Sequence, residues 1–271
     1  MSIPRFLVRD GLAAGARLTL PAEVHHHARR VLRLVPGDAL TLFDGRGSEY
    51  SAELLSGADN ASCSQALVLA GGPLSREARL SITLVQALSA LEKMDWLLEK
   101  VVELGVARIV LVPTARSVVR LEGDRAQRRV ERWQQLAIAA CCQCGRTVVP
   151  EVALVDDLQS ALRKARTPLG DGPGAAHDDR PTEGAAWILD PGAPQPLLGA
   201  TTAPIQQSTH ALCLAVGPEG GFTEAELAQA QAQGYVAARC GPRILRTETA
   251  GLTAISALLA SAGEYSVPAR L

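Results

Sequence analysis

HALCLAVGPEGGFTEAELAQAQAQGYVAARCGPRILRTETA, residues 210–250 of a 271-residue chain, alternates strand and helix signals, and that alternation decides the fold. Residues 210–216 form a mainly apolar run that ends at a glycine, the length of a buried strand. Thr223 then offers an N-cap hydroxyl with Glu226 three residues on, a capping box, and Phe222 and Leu227 are spaced as its hydrophobic staple. The pattern predicts a helix over 223–233, stopped by Gly234. A strand is predicted over 235–240 and an apolar helix over 249–262. Strands alternating with helices predict a largely parallel sheet.

The same rhythm extends upstream. Strands are predicted over 80–87, 107–112, 148–152 and 187–189, and helices over 92–104, 125–144 and 157–165. In the first of these helices Met94, Leu97, Leu98 and Val101 follow the i, i+3, i+4, i+7 spacing, and Gly105 ends it. Residues 167–184, rich in Gly, Pro and Asp, read as a mobile surface loop, and 193–209 as irregular. Before residue 80 the pattern differs. Short apolar runs at 6–8, 17–20, 39–43, 51–55 and 66–69 are separated by turn residues, with one helix over 22–34. That is the pattern of a small β-barrel, and Gly71-Gly72-Pro73 reads as a linker behind it.

Hydrophobic residues make up 47% of the chain and charged residues 20%, so a packed globular protein is expected. The formal net charge of −1 does not point to nucleic acid. Its distribution is more informative: residues 1–37 carry net +4 and residues 108–146 net +5, all the cations being arginines. Such local patches bind phosphate even when acids elsewhere cancel the total, although each also reads as a solvated face. No apolar leader and no 18-residue apolar run is visible, and six cysteines lie at irregular spacing, so a cytoplasmic protein with free thiols is expected.

In parallel α/β sheets, ligands bind beyond the carboxyl ends of the strands, where residues 217–221 and 241–247 fall. GPEGG is neither a dinucleotide fingerprint nor a phosphate loop. Pro218 lacks a donor, and Glu219 repels phosphate while suiting a cationic or hydroxyl-rich ligand. S-adenosylmethionine, with its sulfonium and ribose, is such a ligand; a tight structural turn is the other reading. No metal site is expected. Adjacent His25, His26 and His27 diverge on a helix, and Cys141 and Cys144 lie on an apolar stripe without a second pair. Trp96 and Trp133 are expected in the core.

GPEGGF followed by GPRILRTETA resembles the ribosomal RNA small subunit methyltransferase E family, within the knotted SPOUT methyltransferases. Ile3-Pro4-Arg5, His27 with Val31-Leu32-Arg33, Phe43-Asp44-Gly45, Glu92-Lys93-Met94, Glu103-Leu104-Gly105-Val106 and residues 137–146 extend the resemblance over nearly the whole chain. It implies an α/β protein with a PUA-like RNA-binding β-barrel over 1–73 and a SPOUT domain with a C-terminal trefoil knot over 74–271. It implies a homodimer that uses S-adenosylmethionine to methylate N3 of a uridine in 16S ribosomal RNA, in the assembled 30S subunit.

The cofactor pocket implied by the resemblance is lined by Leu189, Val216, Gly217, Glu219, Gly220, Gly221, Cys240, Gly241, Ile244, Leu245 and Thr249. Arg246 is expected to stabilise the developing anion. Glu219 is a candidate base, with a structural or cofactor-binding role favoured for it. Arg5, His27, Arg30, Arg33 and Arg146 are the expected RNA contacts. Two positions depart from the family pattern: Cys142 stands where glutamate is usual, and Cys240 where leucine is. The alternatives are a SPOUT enzyme acting on a ribose 2′-hydroxyl or another base, and a non-catalytic RNA-binding module.

Overall fold

The computed structural model describes residues 3–56, 63–169, 184–199 and 211–266. The expected loop over 167–184 and irregular stretch over 193–209 lie largely outside them. The described residues form two compact units, one of 3–56, 63–77 and 141–149, the other of the remainder.

The first unit is a five-stranded sheet of β1 (Arg5–Leu7), β2 (Arg17–Thr19), β3 (Ala39–Phe43), β4 (Ser48–Leu55) and β5 (Gln65–Pro73), in the order β1-β3-β4-β5-β2. Only β1 and β3 run parallel. Leu40, Leu42, Ala52, Leu54, Ala66 and Val68 alternate inward to form its core with Phe6 and Val24. Gly71-Gly72-Pro73 is not a linker. It continues β5, pairing with Ser48–Tyr50 beyond a bulge at Ser51/Ala52. Glycine is needed there because a Cβ on Gly71 would lie 2.2 Å from the Glu49 carbonyl oxygen. The expected helix over 22–34 is α1 (Ala22–His26) followed by one π-turn (His27–Val31). Residues 141–149 join this unit through Thr147, whose hydroxyl donates to the Leu74 carbonyl at 2.6 Å, and through a bridge from Val148 to Gly45.

The second unit is a six-stranded, all-parallel sheet of β6 (Ser81–Ala87), β7 (Arg108–Val112), β8 (Glu151–Leu154), β9 (Ala185–Leu189), β10 (Ala211–Val216) and β11 (Val236–Ala238). Its order is β11-β9-β10-β6-β7-β8, so β10 lies between β9 and β6. The helices are α2 (Leu91–Glu103), α3 (Gly123–Cys144), α4 (Leu158–Arg166), α5 (Glu224–Ala232) and α6 (Thr247–Ser261). Central strands are apolar on both faces, as a covered parallel sheet requires, and Val85, Val110, Ile188 and Ala215 pack with Leu158 and Leu162 of α4. Trp133 is fully buried, with its indole donating to Asp95 at 2.8 Å. Trp96 is 47% exposed, not a core residue: it stands on the side of α2 opposite Met94, Leu97, Leu98 and Val101, which hold the buried stripe.

Candidate active site

Leu189, Val216 and Ala238 end three neighbouring strands, β9, β10 and β11. A cavity of about 270 Å³ opens beyond those ends. One wall is the turn that follows β10. Gly221 donates to the Pro218 carbonyl at 2.9 Å, and its φ of 67° is a conformation glycine adopts without strain. Gly217 permits the turn to fold on itself, since a Cβ there would meet Phe222 at 3.2 Å. Arg116 clamps the turn from outside, donating to Gly220 O at 2.8 Å and Phe222 O at 3.2 Å. Beyond the turn the capping box of α5 is complete: Thr223 Oγ1 accepts from the Glu226 amide at 3.2 Å, and Glu226 Oε2 accepts from the Thr223 amide at 2.8 Å.

The opposite wall is the segment from Cys240 to α6. Cys240, Ile244, Leu245 and Arg246 line the cavity with Leu189, Val216, Gly217, Glu219 and Gly221. Of the expected pocket residues, Gly220, Gly241 and Thr249 are not among the lining residues. Asp190, Pro191 and Ala250 also line the cavity from outside the two expected segments, and Pro218, Arg243 and Thr247 line it from within them without having been singled out. Asp190 had a usable signal, because it is the first residue past the carboxyl end of a strand. Thr247 lies at the end of a flagged segment, but nothing in the sequence signals its contact with Gly217, which depends on how α6 returns to β10.

The lining is apolar along Leu189, Val216 and Leu245, with backbone from the glycine turn and carboxylates from Asp190 and Glu219. These groups fit a ligand with a flat apolar part, hydroxyls and a positive charge, and Arg243 and Arg246 add cationic groups to the same lining. Lys93 Nζ lies 3.0 Å from Glu219 and 3.9 Å from Glu248. Burial works to raise the Glu219 pKa, but its own backbone amide, Lys93 and the Ala90 amide outweigh it and hold the carboxyl below its ordinary value. Glu219 is therefore a fixed anion. Arg246, at the N-cap of α6, is exposed and forms no ion pair among the described residues.

The expected RNA contacts divide between surface and interior. His27, Arg30 and Arg33 are exposed on the first unit, with His27 edge-on to Phe6 at 5.7 Å. Arg5 is largely enclosed: it ion-pairs with Glu49, donates to the Arg146 carbonyl at 3.0 Å and stacks over Phe43 at 5.0 Å. Arg146 is buried and bonded to Glu77 at 2.6 Å. Glu77 thus supplies a carboxylate for Arg146 even though position 142 is cysteine. Burial pushes the Cys141 thiol up to about 12 and raises that of Cys142, so both are neutral. Among the described residues, no cluster of metal-ligating side chains forms and no helix is long and apolar enough to cross a membrane.

A parallel sheet carrying a glycine turn and a helix-capped second loop at its carboxyl edge defines a class, and comparison with known proteins names it. The RNA methyltransferase domain matches residues 76–259, and the RNA methyltransferase PUA domain matches 20–63. The ribosomal RNA small subunit methyltransferase E of Bacillus subtilis is 30% identical over 93% of both chains. Its counterpart from Neisseria gonorrhoeae, solved with S-adenosyl methionine bound, is 35% identical with a TM-score of 0.77, covering 96% of this chain and 98% of that one. A Legionella pneumophila protein solved with the same cofactor is 30% identical with a TM-score of 0.80, over 96% and 98%. The chain belongs to the ribosomal RNA small subunit methyltransferase E family.

Proposed function

We propose that this protein transfers the methyl group of S-adenosylmethionine to N3 of a uridine in 16S ribosomal RNA. The observation that carries the reading is the cavity itself. It opens at the carboxyl ends of three parallel strands between the two motif segments, with a fixed carboxylate on one wall and an uncommitted arginine on the other. Two relatives of this length and fold hold the cofactor in their solved structures.

The cofactor supplies an electrophilic methyl on sulfur, and the protein supplies position. N3 of uracil carries a proton on the pairing edge, so the base has to be unpaired before it can reach the cavity. Bound there, S-adenosylmethionine would give its methyl to N3 and leave as the neutral thioether, and the imide proton of N3 would pass to water. Arg246, facing the cavity without a carboxylate partner, stabilises the N3 anion electrostatically. Glu219 is tied to Lys93 and serves the cofactor side, not as the base.

In this reading residues 1–73 form a PUA-like RNA-binding domain and 74–271 a SPOUT domain with a trefoil knot. A knotted path is in keeping with β10 entering between β9 and β6. His27, Arg30 and Arg33 meet RNA. Arg33 supports this, for at φ 56° it holds an arginine where glycine would cost less. The enzyme works as a cytoplasmic homodimer on the assembled 30S subunit.

Labelled S-adenosylmethionine, offered with naked 16S RNA and with 30S subunits, tests the reading. Label at a single uridine N3, found by mass spectrometry in subunits, is the expected outcome. Label on a ribose 2′-hydroxyl or another base overturns the site of methylation. A protein that gives no binding heat with S-adenosylmethionine is an RNA-binding module and no enzyme.

A further inference from the structure

We propose that Gln86 is a positioning residue for the active site, acting through Thr247 to lock the glycine turn after β10 to the N-terminus of α6. The inference rests on the reading of that cavity as the cofactor site, and it adds a residue that touches neither cofactor nor RNA.

Gln86 is the one amide in the otherwise apolar end of β6 and is fully buried. It pairs in register with Val216, the last residue of β10, so its backbone is anchored in the sheet directly beside the turn. Its Nε2 donates to Thr247 Oγ1 at 3.1 Å and to the Ala87 carbonyl at 3.0 Å. Thr247 Oγ1 lies 2.5 Å from the Gly217 carbonyl. The proton directions follow from elementary chemistry. A carbonyl only accepts, so the single hydroxyl proton of Thr247 goes to Gly217. Thr247 must then accept from its other neighbour, which fixes the Gln86 amide with its nitrogen toward Thr247. The relay runs one way, from Gln86 through Thr247 to Gly217, and its last two members both line the cavity, where they join its two segments.

The arrangement has a cost that packing alone does not justify. Gln86 Oε1 is buried without a hydrogen-bond partner, near Gly251, where even a Cβ would lie at an ordinary contact distance of 3.7 Å and offer it no donor. A leucine or methionine would fill this site without burying an unpaired oxygen. What only the amide provides is a donor aimed at Thr247 from a strand paired on both sides, between β10 and β7. The Gly217 carbonyl is thereby held away from the ligand, and the turn presents a single backbone conformation to it.

Four variants of the full chain test this: Gln86→Met, Thr247→Val, the pair together, and Thr247→Ser. Hydrogen exchange of the Gly217, Glu219, Gly220 and Gly221 amides without ligand reads the turn, and calorimetry with S-adenosylmethionine reads the pocket. Gln86→Met and Thr247→Val are each expected to speed exchange at 217–221 and to raise Kd, both by about tenfold. The double variant should be no worse than the weaker single, because one relay is broken only once. Thr247→Ser should stay within about twofold of the parent. Exchange in β7 should not change, whereas a loss of packing alone would speed it across the sheet. Unchanged exchange at 217–221 in folded Gln86→Met, or losses that multiply in the double variant, overturns the proposal. If Gln86→Met does not fold, the contrast between Thr247→Val and Thr247→Ser decides it by the same exchange readout. If the parent chain takes up no cofactor, it is the cofactor reading that fails, and exchange alone judges the relay.

Discussion

Arg246 and Glu219 line one cavity and differ in what already holds them. Arg246 has no ion-pair partner among the described residues, whereas Glu219 is bonded to Lys93. Arg246→Ala is therefore expected to lower single-turnover methyl transfer by about a hundredfold or more, while cofactor affinity measured by calorimetry moves by less than about threefold. Near-normal turnover with normal RNA binding would remove Arg246 from the reaction. For Glu219 the sign is set by its lowered pKa. The ionised form is favoured in the folded protein, so its contribution is complete above the ordinary carboxyl range and is lost only as pH falls through the depressed value. Between about pH 6 and 8 Glu219 therefore imposes no step on turnover, and Glu219→Gln should leave the shape of the pH–rate profile unchanged there. A limb that vanished in Glu219→Gln would make it the base after all.

Among the elements, α5 and β5 show what local sequence can and cannot foretell. The capping box at Thr223 and Glu226 is complete without help from distant residues, and a local pattern was enough to find it. Thr223→Ala should cost about 1 kcal/mol in denaturant unfolding, with little further loss when Glu226→Ala is added at the same cap. Glu226 also accepts from the Ala115 amide at 2.8 Å, and whatever the double variant loses beyond the cap measures that tie. Gly71 is the contrary case. Glycines beside a proline look like a linker, yet here glycine is required because two strands close around a bulge. Gly71→Ala should destabilise the first unit by about 1–3 kcal/mol, seen as a lower unfolding midpoint. The two tryptophans make the same point, for α2 turns Trp96 outward while the partly polar α3 buries Trp133 completely.

Across the whole molecule, a net charge of −1 conceals arginines gathered in two stretches, residues 1–37 and 108–146, of which Arg30 and Arg33 are exposed while Arg108 and Arg146 are buried. If Arg30 and Arg33 meet RNA phosphates, removing either should reduce the slope of log K against log salt by about 1, with little change in which RNA is preferred. Filter binding over a range of salt checks this, and an unchanged slope would make these arginines a solvated face. The sequence by itself determined the order of strands and helices in the second unit, the cap of α5 and the two loops of the cavity. Periodicity, capping and glycine placement are local properties, written in consecutive residues. Only the tertiary structure decided that β10 lies between β9 and β6, that residues 141–149 belong with the first unit, and that Arg5 and Arg146 are held by Glu49 and Glu77. The same is true of Gln86, Thr247 and Gly217, joined by hydrogen bonds that span 161 positions from Gln86 to Thr247 and 30 from Thr247 to Gly217. Those contacts arise from strand order and helix return, and no window of neighbouring residues contains them.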